Sequence, residues 1–234
     1  MTDFGDAATA MSEAMEGGDQ RLEGSDRVVQ DIIGDAPDLL DLAHGGNDTL
    51  LAGSDGAVTF AYGDAYGLSG HASGGDDHLV GGSEAINRLA GDGASMGGNA
   101  VGGDDLVVAG GVGSTNFLYG DAIEMWDATY GGDDTIIGGA GTDRMFGDAA
   151  YAGGGHGGSD LFVFAPGGGE DQIGDFESGK DHIDLTVFGP DGLHGTGDLD
   201  FASGESGLVI GLPDGGSITV LGRHCLGESD FVFS

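Results

Sequence analysis

Two glycine-aspartate units eleven residues apart, each beside a short apolar run, recur about every 28 residues, and this double period constrains the fold more than any other feature. Residues 118–139, LYGDAIEMWDATYGGDDTIIGG, hold one copy. The first unit has its glycines at Gly5, Gly34, Gly63, Gly91, Gly120 and Gly147, in steps of 29, 29, 28, 29 and 27 residues. The second unit reads GGDQRL, GGNDTL, GGDDHL, GGDDLV, GGDDTI and GGSDLF, starting at residues 17, 45, 74, 102, 131 and 157. From Gly34 through Gly120 the offset between units is eleven each time, and it is ten for the last pair. Two anchors that hold one spacing define a repeat array in which each unit is one turn of a solenoid.

Each unit carries two apolar segments, one after the paired glycines and one before GDA, which predict two strands per coil joined by glycine-rich turns. Side chains alternate along a strand, so Leu22, Leu50, Leu79, Val107, Ile136 and Phe162 should point inward, facing Ile32, Ala61, Leu89, Leu118 and Met145. The next residues, Leu51, Val80, Val108 and Ile137 on one side and Ile33, Tyr62, Ala90, Tyr119 and Phe146 on the other, should form two outward apolar columns. The stretched turn after GDA places Leu39, Leu68, Met96 and Met125 five residues past the glycine, where they are expected to fold back as a lid over an outer column. A core of two side chains per coil is thin. Burying an aliphatic side chain is worth about 1.5 to 3 kcal/mol while ordering each residue costs about 1 to 2, so something besides apolar contact must hold the turns.

Charge points to what that is. The 234 residues include 41 Asp and Glu against 6 Lys and Arg, a formal charge of -35 that opposes compaction and disfavours a nucleic-acid partner. An acidic disordered chain is the alternative from composition alone, but it needs no apolar pairs at fixed offsets from glycines. Gly reaches 53 residues without a collagen period, as expected for a chain rich in tight turns. The single cysteine, Cys225, allows no intrachain disulfide; no apolar run is long enough for a membrane span, and the first residues lack the pattern of a Sec-type signal peptide.

Aspartate occupies the same turn position in successive coils, at Asp48, Asp77, Asp105, Asp134 and Asp160, preceded by Asn47, Asp76, Asp104 and Asp133. Stacked at ladder spacing these carboxylates repel one another unless a cation sits between them. Carboxylates with glycine-turn carbonyls make a hard, all-oxygen donor set that suits Ca²⁺, whereas seven scattered His and one Cys do not make a zinc site. The segment GGAGTDRMF at residues 138–146 resembles the hemolysin-type (RTX) nonapeptide GGxGxDxUx. The resemblance covers residues 5 to about 160 and implies an all-β fold: a parallel β-roll, a right-handed β-solenoid, with Ca²⁺ held between turns by the repeat aspartates and backbone carbonyls. Compared with that family one turn is stretched to GDAxxMxGxAxGGDD. On the other side the ligand-equivalent residues read Gln30, Thr59, Asn87, Asn116 and Asp143, of which only Asp143 is a carboxylate. Calcium is therefore expected mainly along the GGDD edge. For Asp35, Asp64, Asp92, Asp121 and Asp148 of the GDA units two readings stand: metal ligands, or aspartates that satisfy nearby turn amides.

The pattern divides the chain into a repeat array at 1–160 and a region at 161–234 that resembles the closing part of type I secreted RTX proteins, a β cap ending in DFVF. That resemblance implies export through type I machinery to the extracellular space. Asp171, Asp175, Asp181 and Asp184 of this region are candidates to hold a further ion. The tetrapeptide by itself reads as an ordinary last strand. No HExxH, GxSxG or Walker loop is present, so a non-enzymatic protein is expected. The expectation is a secreted calcium-binding β-roll whose folding is coupled to Ca²⁺; the alternative is an adhesin or glycan-binding accessory module with an extracellular glycan or protein partner.

Overall fold

The structure, a computed structural model, describes residues 2–4, 11 and 15–234, so most of the first GDA copy lies outside the described residues. The chain is almost entirely β and winds into a solenoid of about five turns. Each turn contributes three strands rather than two. Val29–Ile33, Val58–Tyr62, Ile86–Ala90, Thr115–Tyr119 and Thr142–Phe146 stack in parallel in a first sheet. Thr49–Leu51, His78–Val80, Leu106–Val108, Thr135–Ile137 and Leu161–Val163 stack in a third, and these two sheets contain the predicted segments. Between them in sequence lies the part read as a stretched turn, which is a second, five-stranded parallel sheet of Ala36–Leu39, Ala65–Leu68, Gly93–Met96, Ala122–Trp126 and Ala149–Gly153.

The main core is the predicted one, with Leu50, Leu79, Val107, Ile136 and Phe162 buried against Ile32, Ala61, Leu89, Leu118 and Met145. A second core was not expected. Leu39, Leu68, Met96 and Met125 are fully buried with Ala36, Ala65, Ala122 and Ala149, against Ala43, Ala72 and Ala100 of the segment that returns toward GGDD. They are thus not a lid over an outer column. Small side chains at 43, 72 and 100 let the returning segment approach the second sheet, and His44, Ser73, Val101, Tyr130 and His156 at its end bridge coil to coil. The column Ile33, Tyr62, Ala90, Tyr119 and Phe146 does not face solvent either, because the second sheet folds back over it with Tyr66, Ala94 and Ile123. The column Leu51, Val80, Val108 and Ile137 remains part-exposed as expected.

Each coil therefore buries apolar side chains in three places, which relieves the thinness of a two-residue core. Buried polar ladders tie the coils at the edge opposite the second sheet. Gln30 Nε2 donates to Thr59 Oγ1, Asn87 Nδ2 to Asn116 Oδ1, and Asn116 Nδ2 to Asp143 Oδ1. On the outer face of the first sheet Arg88 lies between Phe60 and Phe117, its guanidinium 5.7 and 5.5 Å from the ring centres. Left-handed backbone recurs in register at Asp41, Gly70, Gly98 and Asp127, where glycine or a short polar residue relieves the strain.

The C-terminal region continues the same sheets and then closes them. Glu170–Ile173 extends the first sheet, Ser217–Leu221 adds in parallel, and Gly207–Gly211 and Asp200–Ser203 follow antiparallel. The reversal leaves the exposed strand Asp200–Ser203 as the edge of this sheet. The DFVF segment supplies the strand Phe231–Val232 at the end of the third sheet, with Phe231 buried in the core.

Replacing Met125 by Ala should destabilise the folded protein by about 2 to 5 kcal/mol, as for a buried large side chain. A surface lid would change stability by less than about 0.5 kcal/mol in urea titration.

Candidate functional site: two columns of buried carboxylates

Where the second sheet leaves the first, and where the returning segment enters the third, each coil carries a glycine-aspartate pair. The two pairs meet at a waist between the main and the second core. Two aspartate columns run along it. Asp64, Asp92, Asp121 and Asp148 of the GDA units accept the amides of Gly75, Gly103, Gly132 and Gly158 in their own coils. The second aspartates of GGDD reach between coils instead. Asp77 Oδ1 accepts the amide of Asp48, Asp105 that of Asp77, Asp134 that of Asp105, and Asp160 that of Asp134, at 2.6 to 3.0 Å. Asp181 Oδ1 accepts the amide of Asp160 and so carries the file into the C-terminal region.

Glycine is required beside both columns because carboxylates occupy the space a side chain would need. A β-carbon on Gly63 would collide with Asp77 Oδ2 and the Gly91 carbonyl, one on Gly91 with Asp105 Oδ2 and the Gly120 carbonyl, and one on Gly120 with Asp134 Oδ2 and the Gly147 carbonyl. The first carboxylates of GGDD are arranged differently. Asp76, Asp104 and Asp133 are exposed, and each accepts the amide of the following coil, as Asn47 does for Asp76. Asp143 lies apart at the far edge, where one oxygen accepts from Asn116 and the other from the Gly139 amide. The structure thus brings together Asp48, Asp64, Asp77, Asp92, Asp105, Asp121, Asp134, Asp148 and Asp160 at the waist, keeps Asp76, Asp104 and Asp133 at its rim, and separates Asp143. Among the later aspartates Asp175 joins the waist by accepting the amides of Gly147, Asp148 and Ala149. The signal for it was IGDF at 173–176, a further copy of the glycine-aspartate unit. Asp171 accepts the Asp143 amide at the far edge, and Asp184 accepts the Thr186 amide.

The waist is electrostatically unsatisfied. Oδ2 of Asp77, Asp92, Asp105, Asp121, Asp134 and Asp160 is buried with no hydrogen-bond donor. Asp92 lies within hydrogen-bonding reach of both Asp64 and Asp121, yet ionised carboxylates have no proton to share. Burial, reinforced by neighbouring aspartates, pushes the carboxyls of Asp64, Asp77, Asp105, Asp121 and Asp134 well above the usual carboxylate range. Burial likewise raises Asp148 to about 6, Asp92 and Asp175 to about 7, and Asp160 to about 9. Such a column can be relieved in two ways, by protons at low pH or by cations at neutral pH.

The donors present fit a hard cation. Orphaned carboxylate oxygens and glycine carbonyls converge where a β-carbon is missing, and every donor is oxygen. Among the described residues no three acidic, His or Cys side chains converge as a self-contained metal cluster, so an ion here would draw on backbone carbonyls as well. No family model, curated protein or solved structure matches this chain.

Two outcomes follow from this geometry. Gly91→Ala should abolish folding, while Gly97→Ala, with open space around it, should change stability by less than about 0.5 kcal/mol. In chelator, the raised carboxyls mean that the folded chain holds protons that the unfolded chain releases. Stability is then fully present below about pH 4 and lost as pH rises through about 6 to 9, the range of the Asp148, Asp92 and Asp160 values. In chelator the far-UV circular dichroism β signal should accordingly be greater at pH 5 than at pH 8, and the reverse order would contradict an unrelieved carboxylate waist.

Proposed function

We propose that this chain is a non-enzymatic, calcium-binding β-solenoid whose folding is coupled to Ca²⁺ binding. The observation that carries the reading is the file of buried, partnerless carboxylate oxygens at Asp77, Asp105, Asp134 and Asp160. Those aspartates, with the GDA carboxylates and the carbonyls of Gly91, Gly120 and Gly147, are the residues that would hold the ions. Bound Ca²⁺ supplies positive charge and fills the acceptor-rich space, and the chain's own residues set its position through the inter-coil register. At a free Ca²⁺ concentration tenfold above Kd each site adds roughly 1.4 kcal/mol to stability, so four sites together add about 6 kcal/mol, comparable with the lower end of the usual margin of a domain.

The same linkage gives a route out of the cell. At low cytosolic Ca²⁺ a chain of charge -35 stays expanded, with its DFVF segment not yet seated in the third sheet. The type I machinery would take that expanded form, and higher Ca²⁺ outside would close the coils. This export step rests on the RTX-like motifs of the sequence.

Far-UV circular dichroism at neutral pH should gain β signal on addition of millimolar Ca²⁺ and much less with Mg²⁺, which prefers a small octahedral site. Full β signal in chelator, or full replacement by Mg²⁺, sinks the reading. Asp105→Asn removes one buried charge while keeping an acceptor for the Asp77 amide. It should weaken the calcium midpoint about tenfold, equivalent to about 1.4 kcal/mol, and leave more structure in chelator than the parent retains.

A further inference from the structure

The outer face of the second sheet carries a groove of about 390 Å³ that the calcium reading does not use. Its floor is the outward column Asp38, Gly67, Ser95 and Glu124, one residue from each of four successive coils. Asp38 and Glu124 are therefore three rungs apart, roughly 14 Å at ~4.8 Å per rung, with the small residues Gly67 and Ser95 between them. At one end stands Trp126, the only tryptophan of the chain, 42% exposed and packed on Tyr151 with ring centres 4.6 Å apart. The pair is seated by design of the backbone: a β-carbon on Gly153 would come 2.7 Å from the Tyr151 ring and 3.0 Å from the Trp126 ring. Trp126 Nε1 donates to Glu124 Oε2 at 3.3 Å, which holds the indole beside the carboxylate.

We propose that this groove binds a neutral oligosaccharide chain, its sugar faces against Trp126 and Tyr151 and its hydroxyls donating to Asp38 and Glu124 and exchanging hydrogen bonds with Ser69 and Ser95. The chemistry of the lining selects this class. Exposed aromatic rings with convergent acceptors and hydroxyls suit a polyol that is apolar on its ring faces and donor-rich at its edges. The two carboxylates and the charge of -35 repel uronate or sulfate polymers. The length of the floor exceeds a monosaccharide and fits an extended chain lying along the solenoid axis. This inference deepens the alternative of a glycan-binding module and rests on the reading of the chain as extracellular.

The test is an array of neutral, amine-bearing and uronate-bearing oligosaccharides, probed in millimolar Ca²⁺ with the β fold verified by circular dichroism. The best neutral hit is then titrated into the parent protein and each variant by isothermal calorimetry, which does not depend on the tryptophan that two of the variants lack. Binding to neutral glycans is expected, with affinity reduced about tenfold or more in Trp126→Ala by loss of its ring contact and largely kept in Trp126→Phe. Ser95→Trp, which fills the floor from an outward position, should also block it without touching either core. The proposal is overturned by absence of any hit, by hits confined to amine or uronate glycans, or by a neutral hit that Trp126→Ala and Ser95→Trp leave unchanged. Failure of the parent protein to fold in Ca²⁺ is a separate outcome that counts against the calcium reading instead.

Discussion

The architecture depends on one interaction: the aspartate that accepts a backbone amide from the coil before it. Asp77, Asp105, Asp134 and Asp160 each bond the amide of the equivalent aspartate one turn earlier. Such a contact forces every turn through the same path at the waist, because an amide displaced by even one residue would leave a buried donor unpaired. It also forces glycine at Gly63, Gly91 and Gly120, where the second carboxylate oxygen fills the space of a side chain. Conformity of the coils, and hence the registered stacking of all three sheets, follows from this local demand.

The waist also separates two jobs. On either side of it, the main core and the second core are filled by columns that stay apolar from coil to coil, although their size varies from Ala61 to Phe162 in the main core. Outside it, the second sheet presents Asp38, Gly67, Ser95, Glu124 and Tyr151 in one register column, where nothing in the packing prescribes the residue. A solenoid of this kind keeps its backbone repeat strict and leaves one face free to differ at each rung, and that face holds the only tryptophan.

Much of the fold was legible because two of its three strands per coil alternate cleanly about a central apolar residue, as in TLL, HLV and TII. The second sheet escaped because its strands do not alternate. APDL, AYGL and GASM bury their first and last residues and turn the middle two toward other surfaces, a pattern of period three that reads as a turn. The missing signal was the alanine two residues before three of the glycine pairs, at Ala43, Ala72 and Ala100, which marks a close-packed return path. The aspartate columns were visible as columns, but their directions were not. Nothing in GGDD says that its first acid faces solvent and its second the interior, since that depends on the path of the returning segment.

Hydrogen bonding alone does not account for the choice of aspartate at the waist. The protein contains its own control at the far edge, where Asn87 and Asn116 accept the amides of Gly82 and Gly110 and bond to each other without any charge. Asn47 does in the exposed column what Asp76 and Asp104 do one and two coils later. An amide side chain thus serves these turns sterically and as an acceptor. It would serve Asp77, Asp105 and Asp134 equally if capping a backbone amide were all that those positions did, and it would avoid the cost of stacked buried charges. Carboxylates at every one of these rungs are favourable only if the uncapped oxygen is protonated or meets a partner of opposite charge. The proposed divalent cation would supply such a partner at neutral pH, where a column of oxygen donors would otherwise have to hold protons.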